Sequence, residues 1–173
     1  MNIAYTMAPG RGDTNSLLFK LAQSLVARGY RPSGTVQIDT ERDYDGPCDM
    51  DVKVLPDGSV LRISQNLGRG SSGCRLDVGA LETAVGLVGA DLASGADCLI
   101  VNKFGKHEAE GHGFRTVIAD ALARDIPVLV GTNKLNQAAF ETFADGLAQN
   151  LPPDLKSLED WVFTHSPLRA KTV

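Results

Sequence analysis

Short unbroken apolar runs alternate along this chain with longer stretches in which apolar residues recur every third or fourth position. Residues 2–7 form a run closed by Pro9-Gly10, which predicts a buried strand. Residues 17–30 follow, with Leu17, Leu18, Leu21, Ala22, Leu25 and Val26 on one stripe, and predict an amphipathic helix stopped by Gly29. A second strand is expected over 34–38 and a polar loop over 39–49. A β-hairpin is expected over 52–63, turning at Pro56-Asp57-Gly58.

The second half repeats the alternation. A Gly- and Ser-rich segment, 65–74, leads to Asp77, a good N-cap for a helix with Val78, Leu81, Val85, Val88 and Leu92 facing inward. Residues 97–101 are the most strand-like run, followed by a polar loop over 102–113, a helix over 114–124, a strand over 127–130 and a helix over 137–148. Strands alternating with helices of this length predict an α/β fold, a mainly parallel sheet covered on both faces, with the hairpin as an insertion. We expect one such domain over 1–150. A C-terminal extension, 151–173, carries one short helix near 155–162 and packs on that domain or trails from it.

The chain has 173 residues, a net charge of −4, 43% hydrophobic and 22% charged residues, the balance of a globular protein rather than of a nucleic-acid or membrane-surface binder. No basic n-region precedes an apolar stretch, and Glu82, Asp91 and Asp97 interrupt the most apolar region, so neither a signal peptide nor a membrane span is expected. Cys48, Cys74 and Cys98 form no C-x-x-C pair, which fits a reducing compartment, and the location expected is cytoplasmic. Self-association is compatible with all of this.

Ligands of parallel α/β sheets gather where strands end. In Ala8-Pro9-Gly10-Arg11-Gly12-Asp13-Thr14 the two glycines at a strand-to-helix turn let backbone amides face an anion, and the helix N-terminus adds partial positive charge. The alternative is a plain tight turn in which Asp13 or Thr14 caps the helix. The segment resembles the phosphate-binding P-loop, G-x-x-x-x-G-K-[ST], with Asp13 in place of the lysine.

Together, residues 8–30, 97–108 and 127–130 resemble the nucleoside-triphosphatase branch of P-loop proteins, which implies a three-layer sandwich. On that resemblance Asn102 stands where a magnesium-organising aspartate is expected and Lys103 where a catalytic glutamate is expected. The loop and the facing strand end thus exchange charge. If their strands are neighbours, Asp13 and Lys103 form an ion pair, or Lys103 supplies the cation missing from the loop.

Over roughly 1–150 the chain is similar to an uncharacterised bacterial family, the domain of unknown function 2478. The similarity rests on Gly34-Thr35-Val36-Gln37, Ile63-Ser64-Gln65-Asn66-Leu67-Gly68, Gly73-Cys74-Arg75-Leu76-Asp77 and residues 101–111. It implies a P-loop-like fold with degenerate nucleotide motifs and an association with molybdenum-related genes.

We expect an anion site made by Gly10, Arg11, Gly12, Asp13 and Thr14 with Lys103 and Lys106, to which Arg69 or Arg75 adds charge, the alternative for Arg75 being a pair with Asp77. The ligand expected is a nucleotide, phosphate or molybdate. Three functions follow from this reading. The first is a binding module with little or no hydrolysis. The second is a nucleoside triphosphatase with a relocated lysine, in which Thr14 or Ser16 holds magnesium and Glu108 orients water. The third is a non-catalytic protein-interaction domain.

His107, Glu108, Glu110 and His112 invite a metal reading, but the histidines lack the spacing of a helical ligand pair, and Glu108 and Glu110 suit the N-terminus of the next helix. Asn133-Lys134-Leu135-Asn136 resembles the guanine-reading loop of GTPases without its aspartate, and Asn136 serves equally as an N-cap. No Ser-His-Asp or Cys-His spacing suggests acyl transfer.

Overall fold

The computed structural model describes residues 1–40, 49–68 and 75–166. Most of the expected 39–49 loop, Arg69, Cys48 and Cys74 lie outside the described residues.

The strands are β1 (Ile3–Thr6), β2 (Pro32–Thr40), β3 (Asp49–Val54), β4 (Val60–Arg62), β5 (Cys98–Val101), β6 (Val128–Gly131) and β7 (Gln149–Leu151). The helices are α1 (Asp13–Ala27), α2 (Val78–Leu92), α3 (Lys106–Ala109), α4 (Arg115–Ala123), α5 (Lys134–Phe143) and α6 (Leu155–His165). The described strands form one sheet in the order β4-β3-β2-β5-β6-β1-β7. Pairing is parallel from β2 through β7 and antiparallel only between β2 and β3 and between β3 and β4. The expected hairpin is β3 and β4, and it continues the parallel sheet as an antiparallel edge.

Alternate residues of the central strands feed two separate cores, as the period of two requires. Ala4, Cys98, Ile100 and Leu129 pack with α1 and α6, whereas Ile3, Tyr5, Leu99, Val101, Val128 and Val130 pack under α2, α4 and α5. Strands buried on both faces explain the unbroken apolar runs. The three-layer α/β sandwich expected from the sequence is thus the observed fold.

Several boundaries move for identifiable reasons. α1 starts at Asp13, not near residue 17, because Gly12 takes the left-handed conformation (φ 79°) that admits the chain into the helix. Neither Asp13 nor Thr14 is its cap: Gly12 holds that position with no side-chain cap bond. α5 starts at Lys134 because Asn133, not Asn136, is its N-cap, its side chain accepting from the Asn136 backbone N–H. Asp77 caps α2 as expected, accepting from Ala80 N–H at 3.0 Å.

The division expected at residue 150 falls inside β7, which pairs with β1 and whose Leu151 carbonyl accepts from Thr6 Oγ1 at 3.1 Å. α6 then buries Leu158, Trp161 and Val162 against the α1 side of the sheet. The described part of the extension, through residue 166, shares its core with the rest of the domain.

Candidate functional site

Four strand ends meet at the carboxyl edge of the parallel sheet. β1 leads into the glycine loop and α1, β6 into Thr132 and Asn133, β5 into Asn102 and Lys103, and β2 ends near Asp39. Between them lies a cleft of about 1050 Å³. Gly10, Arg11, Gly12, Thr14, Arg75, Lys103 and Lys106 all line it, and Met50, Val52, Ile63 and Leu81 give it an apolar wall.

The glycine loop and the first turn of α1 form one side of the cleft. Thr14 Oγ1 accepts from Ala8 N–H at 2.9 Å, which ties the loop into a closed turn. The first bond of the helix is Ser16 N–H to the Gly12 carbonyl at 3.0 Å. Among the described residues, the amides of Gly12, Thr14 and Asn15 find no protein acceptor. Such amides, with the helix dipole behind them, favour a negative charge.

Asp13 is exposed and does not line the cleft. Its carboxylate folds back over the loop, so that a Cβ built on Gly10 would stand 2.0 Å from Asp13 Oδ2. The condition for an ion pair with Lys103, neighbouring strands, is not met: β6 lies between β1 and β5, and among the described residues no salt bridge joins the two side chains. Lys103 remains exposed at the cleft, and Lys106 pairs with Glu110 at 3.7 Å across one turn of α3.

Glu108 is 2% exposed, and each of its oxygens accepts a backbone N–H: Gly105 on Oε2 at 3.0 Å and Phe114 on Oε1 at 3.3 Å. It clips the start of α3 to the start of α4, the structural role its position before a helix suggests. Its neighbour His107 reaches Glu82 on α2, with Nε2 2.7 Å from Oε1, and stacks on His112 with ring centroids 5.1 Å apart. An ionised carboxylate only accepts, so His107 Nε2 carries the proton. That hydrogen bond holds the Glu82 carboxyl below its usual range, opposed by partial burial and helped by Gly113 N–H. Stacked rings do not converge on one point, and among the described residues no three metal-ligating side chains do.

Asn133 Oδ1 accepts from both the backbone and the side-chain amide of Asn136, at 3.1 and 2.9 Å, so the segment resembling a guanine reader is occupied with capping its own helix. Cys98 is fully buried, and desolvation, then the Asp97 charge, push its thiol up to about 12. It is a packing residue of β5.

Asn102 is 4% exposed and both polar atoms of its side chain are hydrogen-bonded. Its Oδ1 accepts from Gln37 backbone N–H at 2.9 Å, and its Nδ2 donates to Asn15 Oδ1 at 3.0 Å and to Gln37 Oε1 at 3.4 Å. Asn15 and Gln37 in turn donate to the two oxygens of Asp39, at 3.4 and 2.7 Å. Sequence reading misses Asn15, Gln37 and Asp39. The available signal is Gln37 and Asp39, two apart at a strand end and hence on one face.

A glycine loop leading from β1, a parallel strand one in from the sheet edge, into a helix at the carboxyl edge of a three-layer sheet is an arrangement of the P-loop nucleoside-triphosphatase-like fold. Two solved structures carry the same fold. One is the solution structure of a human cancer-related nucleoside triphosphatase, with TM-score 0.63, 19% identity, and 98% of this chain and 100% of that chain covered. The other is the crystal structure of THEP1 from the hyperthermophile Aquifex aeolicus, with TM-score 0.63, 16% identity, and 95% and 96% covered.

Within that class the chain belongs to the family described as protein of unknown function, DUF2478, which matches residues 3–161. A relative from Bradyrhizobium diazoefficiens, the molybdenum import ATP-binding protein ModC 2, is 34% identical over 149 residues. The match takes in 86% of this chain and only 17% of that protein's length.

Proposed function

We propose that the cleft binds a phosphate-bearing ligand, a nucleotide above all, or another tetrahedral oxyanion, with little or no hydrolysis. The observation that carries this reading is the set of loop amides, Gly12, Thr14 and Asn15, that have no protein acceptor among the described residues, in a loop that lines one cleft with exposed Arg11 and Lys103. The fold shared with nucleoside triphosphatases and the kinship with an ATP-binding protein support the nucleotide. Molybdate is also a tetrahedral dianion, and the molybdenum in that relative's name supports an accessory role in handling the metal.

Weak hydrolysis follows from the residues at the strand ends. Phosphoryl transfer needs a charge-stabilised phosphate and an oriented water. Asn102 carries no charge, Glu108 is buried with a backbone N–H on each oxygen, and Asp39 has an oxygen on each of Asn15 and Gln37, so each strand-end carboxylate is already engaged. Arg11 and Lys103 take the place of the missing loop lysine as screened, exposed cations, while Asp13 offsets part of their field.

The test is a titration with ATP, GTP, phosphate, sulfate and molybdate, alongside phosphate release from the nucleotides. Binding that weakens several-fold in Lys103→Ala, with release at the blank rate, is expected. No binding, or binding indifferent to Lys103→Ala, overturns the reading. Sustained release abolished by that substitution establishes the triphosphatase instead.

A further inference from the structure

The hydrogen bonds around Asn102 run in one direction only, and that direction is fixed at both ends. At one end stands the Gln37 backbone N–H, which can only donate, and it donates to Asn102 Oδ1. At the other end stands the Asp39 carboxylate, which when ionised can only accept. Between them run two arms. Asn102 Nδ2 donates to Asn15 Oδ1 and Asn15 Nδ2 to Asp39 Oδ2, while Asn102 Nδ2 also donates to Gln37 Oε1 and Gln37 Nε2 to Asp39 Oδ1. Every carboxamide in the ring is oriented by these two fixed ends.

We infer that Asn102 is a positioning residue for the anion loop, and that its place demands a group that accepts on one side and donates on the other. The ring holds Asn15, one of the residues whose backbone amide is left without an acceptor in the first turn of α1. It also holds the Asp39 carboxylate close to the loop, with Oδ2 3.5 Å from where a Cβ on Gly12 would stand. An aspartate at this position, which would bring the strand end back toward a metal-binding form, turns a donor into an acceptor. It would face the oxygens of Asn15 and Gln37 in a site where the present side chain is only 4% exposed. Neither amide can rotate to relieve this without turning its own oxygen on Asp39. The acid at the end of β2 and the amide at the end of β5 therefore belong together as a pair.

The charge-conserving exchange Asn102→Asp with Asp39→Asn has a distinct outcome. The carboxylate introduced at the end of β5 accepts from the Gln37 backbone and from a rotated Asn15. The Asn15 oxygen then accepts from the amide introduced at the end of β2, so one arm of the ring is rebuilt in reverse.

The positioning claim rests on the proposed anion site, and the test separates the two. Melting temperature is measured without ligand for the wild type, Asn102→Asp, Asp39→Asn and the exchange, and inorganic phosphate is titrated into each folded protein. Asn102→Asp should melt lower and bind phosphate about tenfold more weakly, from an opposed buried hydrogen bond together with the added negative charge, which the charge-conserving exchange removes from the comparison. The exchange should melt above Asn102→Asp and recover part of the affinity. Should Asn102→Asp not fold, folding of the exchange supports the inference and its failure overturns it. Losses that simply add in the exchange, or an Asn102→Asp protein that melts like the wild type or binds phosphate as well or better, also overturn it. A wild type that binds no phosphate overturns the anion reading of the loop and with it the positioning for a ligand, while the melting cycle still decides whether the ring has a direction.

Discussion

Asp13 is the residue whose meaning changes most between chain and fold. In the sequence it looks like one half of a charge exchange with Lys103, yet β6 separates the strands that lead to them and the carboxylate folds back on Gly10 instead. The residue types at a strand end are legible; which of them face each other depends on strand order, which no local pattern encodes. Gly34 shows the reverse case. The sequence marks it as a strand residue in a family-like stretch and gives no reason for a glycine, but it sits at φ 114° in β2, and a Cβ there would stand 1.8 Å from the Ile100 carbonyl oxygen of the paired strand. Both the backbone conformation and the contact exclude any side chain. Gly34→Ala is expected to cost about 3 kcal/mol or more, or to prevent folding, as read by urea unfolding. A loss under about 1 kcal/mol would contradict this geometry.

Elements are legible in the sequence at their cores and displaced at their ends. The apolar stripe places α1 correctly, because Leu18, Leu21, Ala22 and Leu25 are the residues it buries. Its first turn is hidden because Asp13, Thr14, Asn15 and Ser16 are all polar and a glycine, not a side chain, opens the helix. β7 escapes notice because three residues with only Leu151 buried leave no run to detect. The 102–113 loop reads as polar and irregular, whereas α3 and the Glu108 clip order it from within.

That loop is also joined to α2 through His107 and Glu82, which gives the pairing a pH signature. Glu82 titrates below its ordinary 4.5 in the folded protein, so its stabilisation is complete above that value and is lost as pH falls through the depressed one. Melting temperature measured from pH 6 down to about pH 3 should fall less steeply in Glu82→Gln than in the wild type. Identical acid slopes would show that the pair contributes nothing. Because the Glu82 side chain is 45% exposed, the difference should be small and should shrink with salt.

At the scale of the whole molecule, alternation of strand and helix is enough to give a parallel sheet covered on both faces, and position at strand ends is enough to collect most of the cleft. Arg11, Thr14, Lys103 and Lys106 come from distant parts of the chain to one cleft, because every β-to-α connection of the parallel sheet opens on the same edge. The ring of Asn15, Gln37, Asp39 and Asn102 is not legible, since neutral amides carry no charge pattern and their value lies in hydrogen-bond direction. On the proposed function the open amides of α1 receive an anion, and backbone amide NMR during titration with inorganic phosphate and then ATP reads those amides one by one. Shift changes concentrated at Gly12, Thr14 and Asn15, saturating with one affinity for each ligand, are the predicted result. Saturating ligand that leaves those three amides unmoved would contradict it.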